Sequence, residues 1–278
     1  MNKKKVSQAI RDVITTMMDG VMTKVLEKDP FIPENHHASK PVYAALVPDE
    51  IFKGSHFERR FVTPFGHVWE RLACVVAKEH HGACEVEHNV EGLIAEGRLR
   101  RIQEVLNRLE HPSVTSGKRV APNWEEELGY ILKGGGQLIP CTVTCDLFIN
   151  SELNGECYAI ELKGPLPNSD QTKVSKEKMF KLLAMDKRPV DHAYYALPYN
   201  PYGTREKYAW SFPRRWFDMR KDEAVKMGVE FWDLIGGEGT YKTFISVVNS
   251  LGRGYRERIY REFLCIEPPA TLDMDLLK

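Results

Sequence analysis

The segment that most restricts the fold lies mid-chain. QLIPCTVTCDLFIN (residues 137–150) is rich in β-branched residues, SELNGE reads as a turn, and CYAIELKG (157–164) resumes an alternating pattern. Two such runs joined by a short polar turn predict a β-hairpin. Helical patterns lie on both sides of this hairpin, so the chain belongs to the α/β class.

Upstream, Val6, Ile10, Val13, Ile14, Met17, Met18, Val21, Val25 and Leu26 recur at helical spacing, which predicts one amphipathic helix over residues 3–28. Its apolar stripe is a core or oligomer face. Pro30, Pro33, Pro41 and Pro48 mark a connecting arm, so residues 1–48 form an N-terminal helix and arm ahead of a domain over 49–278. A helix over Glu50–Phe61 is expected to break at Thr63-Pro64, with Thr63 as N-cap of a second helix that Gly82 stops. Residues 92–110 predict a helix, Pro112, Ser116, Gly117 and Pro122 a loop, and Trp124–Leu132 a short helix ended by Gly134-Gly135-Gly136. Beyond the hairpin, residues 171–186 are helical, HAYYALPYN and VEFWDLIG predict strands, and residues 240–263 form a C-terminal helix.

Charge excludes less than its total suggests. The 278 residues carry 39 Lys and Arg against 39 Asp and Glu. Residues 121–161 hold seven acids and one base, whereas residues 163–226 hold fourteen bases and eight acids. An acidic stretch followed by a basic one suits a cation centre bordered by polyanion contacts, although solvated helix faces give the same count. No apolar run approaches the ~18 residues of a membrane span, and no apolar signal core follows the basic first residues. Six cysteines in so long a chain fit buried thiols in a reducing cytoplasm.

The chemistry-bearing residues cluster in the hairpin. Alternation puts Glu161 and Lys163 on one face of the second strand, roughly 6.6 Å apart. Asp146 lies on the first strand, and folding the hairpin brings it beside Glu161. Two converging carboxylates repel and call for a cation, and hard oxygen ligands select Mg²⁺. Mg²⁺ held by one or two carboxylates keeps waters, leaving room for phosphate oxygens and a nucleophilic water. Lys163 has two roles open to it: helping to deprotonate that water, or stabilising charge on the phosphorane. The competing reading is a solvated strand face. Against it, the flanking residues Leu147, Phe148, Ile149, Ala159, Ile160 and Leu162 are apolar, so charges here sit near a core.

Asp146, then Glu161-Leu162-Lys163 on a second strand, then a Lys-rich helix and a further strand, resembles the PD-(D/E)xK nuclease core. Cys145 stands where the motif's name has proline. PFGHVWERLA is similar to the first core helix of type II restriction endonucleases, which implies Glu70 as a third metal carboxylate, with Glu58 of SHFERRF as an alternative. ELKGPLPNSDQTKVSKEKMFKLLAM and the later YNPYG resemble TdeIII-type restriction endonucleases. The resemblance implies a restriction-endonuclease-like core over about 57–200, a mixed sheet flanked by helices, with helical additions at both ends and recognition additions over about 200–265. It further implies Mg²⁺ dependence, double-stranded DNA cleaved at a short palindrome of the GGNCC kind, a homodimer and a companion methyltransferase.

Basic residues interleaved with Tyr194, Tyr195, Tyr199, Tyr202, Tyr208, Trp210, Phe212, Trp216 and Phe217 suit phosphate and base contacts, or an aromatic core with exposed arginines. Lys173, Lys176, Asn200, Arg205, Arg214 and Arg215 are the candidate DNA contacts. His80-His81, Cys84 and His88 lack a second half at zinc spacing, and Gly134–Gly136 and Gly236-Gly237 are turns. A non-catalytic nucleic-acid-binding protein and a structure-specific repair nuclease remain alternative readings.

Overall fold

The computed structural model describes residues 3–113 and 117–273; the rest, including Ser116 of the predicted loop, lie outside the described residues. In chain order the elements are α1 (Lys3–Thr23), α2 (Pro33–Ser39), α3 (Pro41–Leu46), α4 (Asp49–His81), β1 (Gly82–Ala95), α5 (Glu96–Glu110) and α6 (Trp124–Leu132). There follow β2 (Leu138–Ser151), β3 (Cys157–Leu162), α7 (Ser169–Ala184), β4 (His192–Leu197), β5 (Val225–Met227), α8 (Val229–Gly236) and α9 (Thr240–Arg258). Two compact units result, Ala73–Tyr241 and Asn2–Leu72 with Lys242–Lys278. The sequence division at 48/49 falls inside the latter.

The first unit is built on a five-stranded mixed sheet of order β1-β2-β3-β4-β5. The pairs β1–β2 and β2–β3 are antiparallel, while β3–β4 and β4–β5 are parallel. The predicted hairpin is β2–β3, and Leu147 pairs with Ile160 across it. Five of the six β3 residues are buried, as parallel strands covered on both faces usually are. Helix α7 returns across the sheet and buries Met179, Phe180 and Leu182. Around Phe180 a core assembles in which the Trp124 ring stacks at 4.6 Å and Tyr195 stacks on Phe217 at 4.8 Å.

The turn Gly134–Gly136 requires glycine at two of its positions: a Cβ on Gly134 would come within 2.5 Å of the Gly97–Arg98 backbone, and Gly136 has a φ of 117°. Its backbone docks on the start of α5, where the Gly97 N–H donates to Gly135 O at 2.9 Å. A Cβ on Gly97 would come within 2.3 Å of that same oxygen.

In the second unit the apolar stripe of α1 is buried: Val6, Ile10, Ile14, Met17, Met18, Val21 and Met22. The stripe is therefore core, and that face of α1 is withdrawn as a dimer candidate. Phe57, Phe61, Phe65 and Trp69 on α4 form a ladder of ring contacts with centroids 5.0–6.3 Å apart.

Three sequence expectations need correction. Helix α4 is continuous from Asp49 to His81 with Pro64 inside it, so there is no break at Thr63-Pro64. Amphipathic packing on both sides outweighs the one backbone hydrogen bond that proline removes. Residues 92–95 end strand β1, where ladder bonds to β2 override the helical pattern. VEFWDLIG is helix α8, because a short apolar run has no decisive period.

Candidate active site

Antiparallel pairing of β2 with β3 places Asp146 across from Glu161, and alternation along β3 puts Lys163 on the same side as Glu161. The Lys163 Nζ lies 2.5 Å from Asp146 Oδ2 and 3.4 Å from Glu161 Oε2. The three residues expected from the sequence to converge do so. Two donors fix the carboxylates: the Leu162 N–H donates to Asp146 Oδ2 at 2.8 Å, and Ser175 Oγ donates to Glu161 Oε2 at 3.1 Å.

Lys178 was missing from the predicted site. From α7 its Nζ reaches Glu161 Oε1 at 2.8 Å and stands 3.9 Å from Asp146 Oδ1. Ser175 and Lys178, three residues apart, share one helical face, and α7 follows β3 after a short loop. That spacing was a usable signal, hidden among four lysines of one helix.

Glu161 is 1% exposed. Its burial, and then the charge of Asp146, push its pKa above the ordinary glutamate value. For Lys163, burial opposes the ammonium, but Glu161 and Asp146 outweigh it and its pKa is raised. A buried and a half-buried carboxylate matched by two ammonium groups form a compensated arrangement, the condition for burying such charges. In the β1–β2 register Glu87 falls opposite Asp146 and takes a φ of 52°, so the neighbouring strand is strained at the level of the site.

The carboxylate pair fits a hard divalent cation: both donors are oxygen, and neither is bound to other carboxylates. Among the described residues no group of three or more His, Cys, Asp or Glu side chains could hold a metal. Glu70, the expected third carboxylate, is a half-buried residue of α4 in the other unit, and Glu58 is an exposed residue of the same helix and unit.

The candidate DNA contacts separate by surroundings. Lys176 is fully buried, with its Nζ 2.5 Å from Glu127 Oε2 and donating to Trp216 O. Its ammonium also lies 4.8 Å from the centre of the Phe217 ring. It is a core group, and the expectation of a surface phosphate contact is withdrawn. Arg205 likewise faces inward, donating to the carbonyls of Arg220, Asp222 and Val225 and to Glu230 at 2.7 Å. Asn200 spends its amide on its own turn, accepting from Tyr202 N and donating to Thr204 O. Lys173 is half-buried, 2.5 Å from Glu110. Arg214 is exposed, and Arg214 and Arg215 line a surface cleft of about 490 Å³ with Arg119 and Phe212. Tyr195, Tyr208, Trp216 and Phe217 are buried, so much of the aromatic crowd is core.

A mixed sheet carrying a paired acidic and lysine centre on a hairpin and its following helix defines the class of a restriction-endonuclease-like protein. Residues 6–252 match the family "Type II restriction endonuclease, HinfI", and the chain belongs to that family. It is also similar to the type II restriction enzyme HgiCII of Herpetosiphon aurantiacus, 25% identical over 228 residues that cover 81% of this chain and 82% of the relative. HgiBI of the same organism is 26% identical over 236 residues, covering 81% of each. No described helix is long and apolar enough to cross a membrane.

Proposed function

We propose that the protein hydrolyses phosphodiester bonds of double-stranded DNA at a short palindrome, of the GGNCC kind that the sequence resemblance implies, with Mg²⁺ as cofactor. The observation that carries this reading is the convergence of Asp146, Glu161 and Lys163, with Lys163 Nζ within 3.4 Å of both carboxylates.

Asp146 and Glu161 would hold the cation. When bound, it supplies charge neutralisation at the phosphate and a water acidic enough to act as nucleophile. The chain's own groups do the rest. The Leu162 N–H and Ser175 Oγ hold the carboxylates in fixed rotamers, so the site is organised before substrate arrives. Lys163 enters as an N–H donor, suited to stabilising charge on a phosphate oxygen as the nucleophile attacks in line. Arg214, Arg215 and Lys173 supply positive charge for backbone contacts, which position DNA without reading it.

A palindromic site is matched by a two-fold protein, so a homodimer is proposed. Such an enzyme also threatens its host's DNA, which calls for a companion methyltransferase at the same site and for action in the cytoplasm.

The test is digestion of a phage genome with Mg²⁺, with and without chelator. Discrete fragments that vanish with chelator are expected. Smearing, or cutting confined to branches and ends, would mark a structure-specific nuclease. Specific binding that needs no divalent ion, with no cutting, would mark a non-catalytic DNA-binding protein.

A further inference from the structure

The four oxygens of the carboxylate pair are not equivalent. Asp146 Oδ2 and Glu161 Oε2 are each held by a neutral donor of the chain, Leu162 N–H and Ser175 Oγ, and both face Lys163. Asp146 Oδ1 and Glu161 Oε1 share a different partner, the Lys178 Nζ, at 3.9 and 2.8 Å. Lys163 directly follows β3, where its N–H donates to Ala196 O at 3.0 Å and its ammonium meets both carboxylates. Lys178 approaches from α7 with a side chain that is 28% exposed, on a flexible four-carbon stem. Glu161 itself is 1% exposed, and its Oε1 is the oxygen that the Lys178 ammonium meets.

We propose that Lys178 is a resident counter-cation, occupying the oxygens a divalent ion would use and keeping the DNA-free protein's metal affinity low. The inference rests on the reading of Asp146 and Glu161 as metal ligands. Its physical basis is simple. A divalent ion entering next to Lys178 either displaces the ammonium from Glu161 or meets it as a like charge, and both weaken binding. A DNA phosphate brings negative charge that offsets this repulsion and gives the released ammonium a partner. Metal uptake and DNA binding are thereby coupled, and each raises the affinity for the other.

The experiment is calorimetric titration of Mn²⁺ or Ca²⁺ into the intact protein without DNA, comparing the unmodified chain with Lys178→Met and Lys178→Gln. Both variants are expected to bind metal at least about tenfold more tightly, since one unit charge a few ångströms away has been removed. Their Tm without metal should lie below that of the unmodified protein, and saturating metal should raise it more. Asp146→Asn in the same background should abolish the gain, which locates the ion. Unchanged or weaker metal affinity in either folded variant overturns the proposal. If the unmodified protein binds metal on DNA while the variants gain nothing without it, only the counter-cation role fails. If no form binds metal with or without cognate DNA, the metal-centre reading fails and takes this inference with it.

Discussion

The Lys163 ammonium stands 2.5 Å from Asp146 Oδ2, although Asp146 lies on β2 and Lys163 just past the end of β3, and the two come together only when the hairpin pairs. A cation held by both members of an acidic pair is placed to act on any charge that develops on a phosphate bound there.

Lys163→Ala should therefore separate chemistry from recognition. Cleavage is expected to fall at least about a hundredfold, the usual effect of removing a charge-stabilising donor. Specific DNA binding, measured by mobility shift in Ca²⁺, should change only a few-fold. Equal loss of both in a folded variant would make Lys163 a phosphate contact instead.

The buried pair Lys176–Glu127 yields a stability prediction. Lys176→Met leaves Glu127 buried without its cation and should destabilise by about 3–5 kcal/mol, while Lys176→Met with Glu127→Leu should recover most of the loss. Burial lowers the Lys176 pKa below the ordinary 10.5, against the pull of Glu127. Over the window between the lowered pKa and 10.5 the unfolded chain binds more protons than the folded one, so stability rises with pH. Urea unfolding should show the unmodified protein gaining on the double variant as pH climbs through that window. A phosphate-binding Lys176 would instead leave stability unchanged and weaken DNA binding.

Arg205 fastens the segment between β4 and α8 through three carbonyls and Glu230. Arg205→Ala should cost about 2–3 kcal/mol, because charge-assisted bonds are lost and partly buried carbonyls left without donors. Arg205→Lys should recover little, since a point charge cannot span the fork. A shift in the cleaved sequence at unaltered Tm would restore Arg205 as a base reader.

Gly97→Ala should destabilise by about 1–3 kcal/mol, as the added methyl meets Gly135 O at 2.3 Å, a backbone atom that cannot rotate away. Gly129→Ala, with open space around it, should be neutral or slightly stabilising. Thermal unfolding of the two variants side by side checks the contrast.

Local chemistry alone determined the hairpin, the helices α6, α7 and α9, and the gathering of Asp146, Glu161 and Lys163. These depend on alternation, turn residues and helical period, all expressed within a few neighbouring positions. Strand β1 and helix α8 were not legible, because β1 is defined by its ladder with β2 and α8 is a short apolar run of ambiguous period. The same limit governed the lysines. Lys173, Lys176, Lys178 and Lys181 look alike along the chain, yet the packing of α7 pairs the first three with Glu110, Glu127 and Glu161, while Lys181 pairs with Glu177 one turn back on its own helix. Only tertiary structure decides which lysine faces the core, the acidic centre or solvent, because desolvation and pairing depend on what the opposite surface presents.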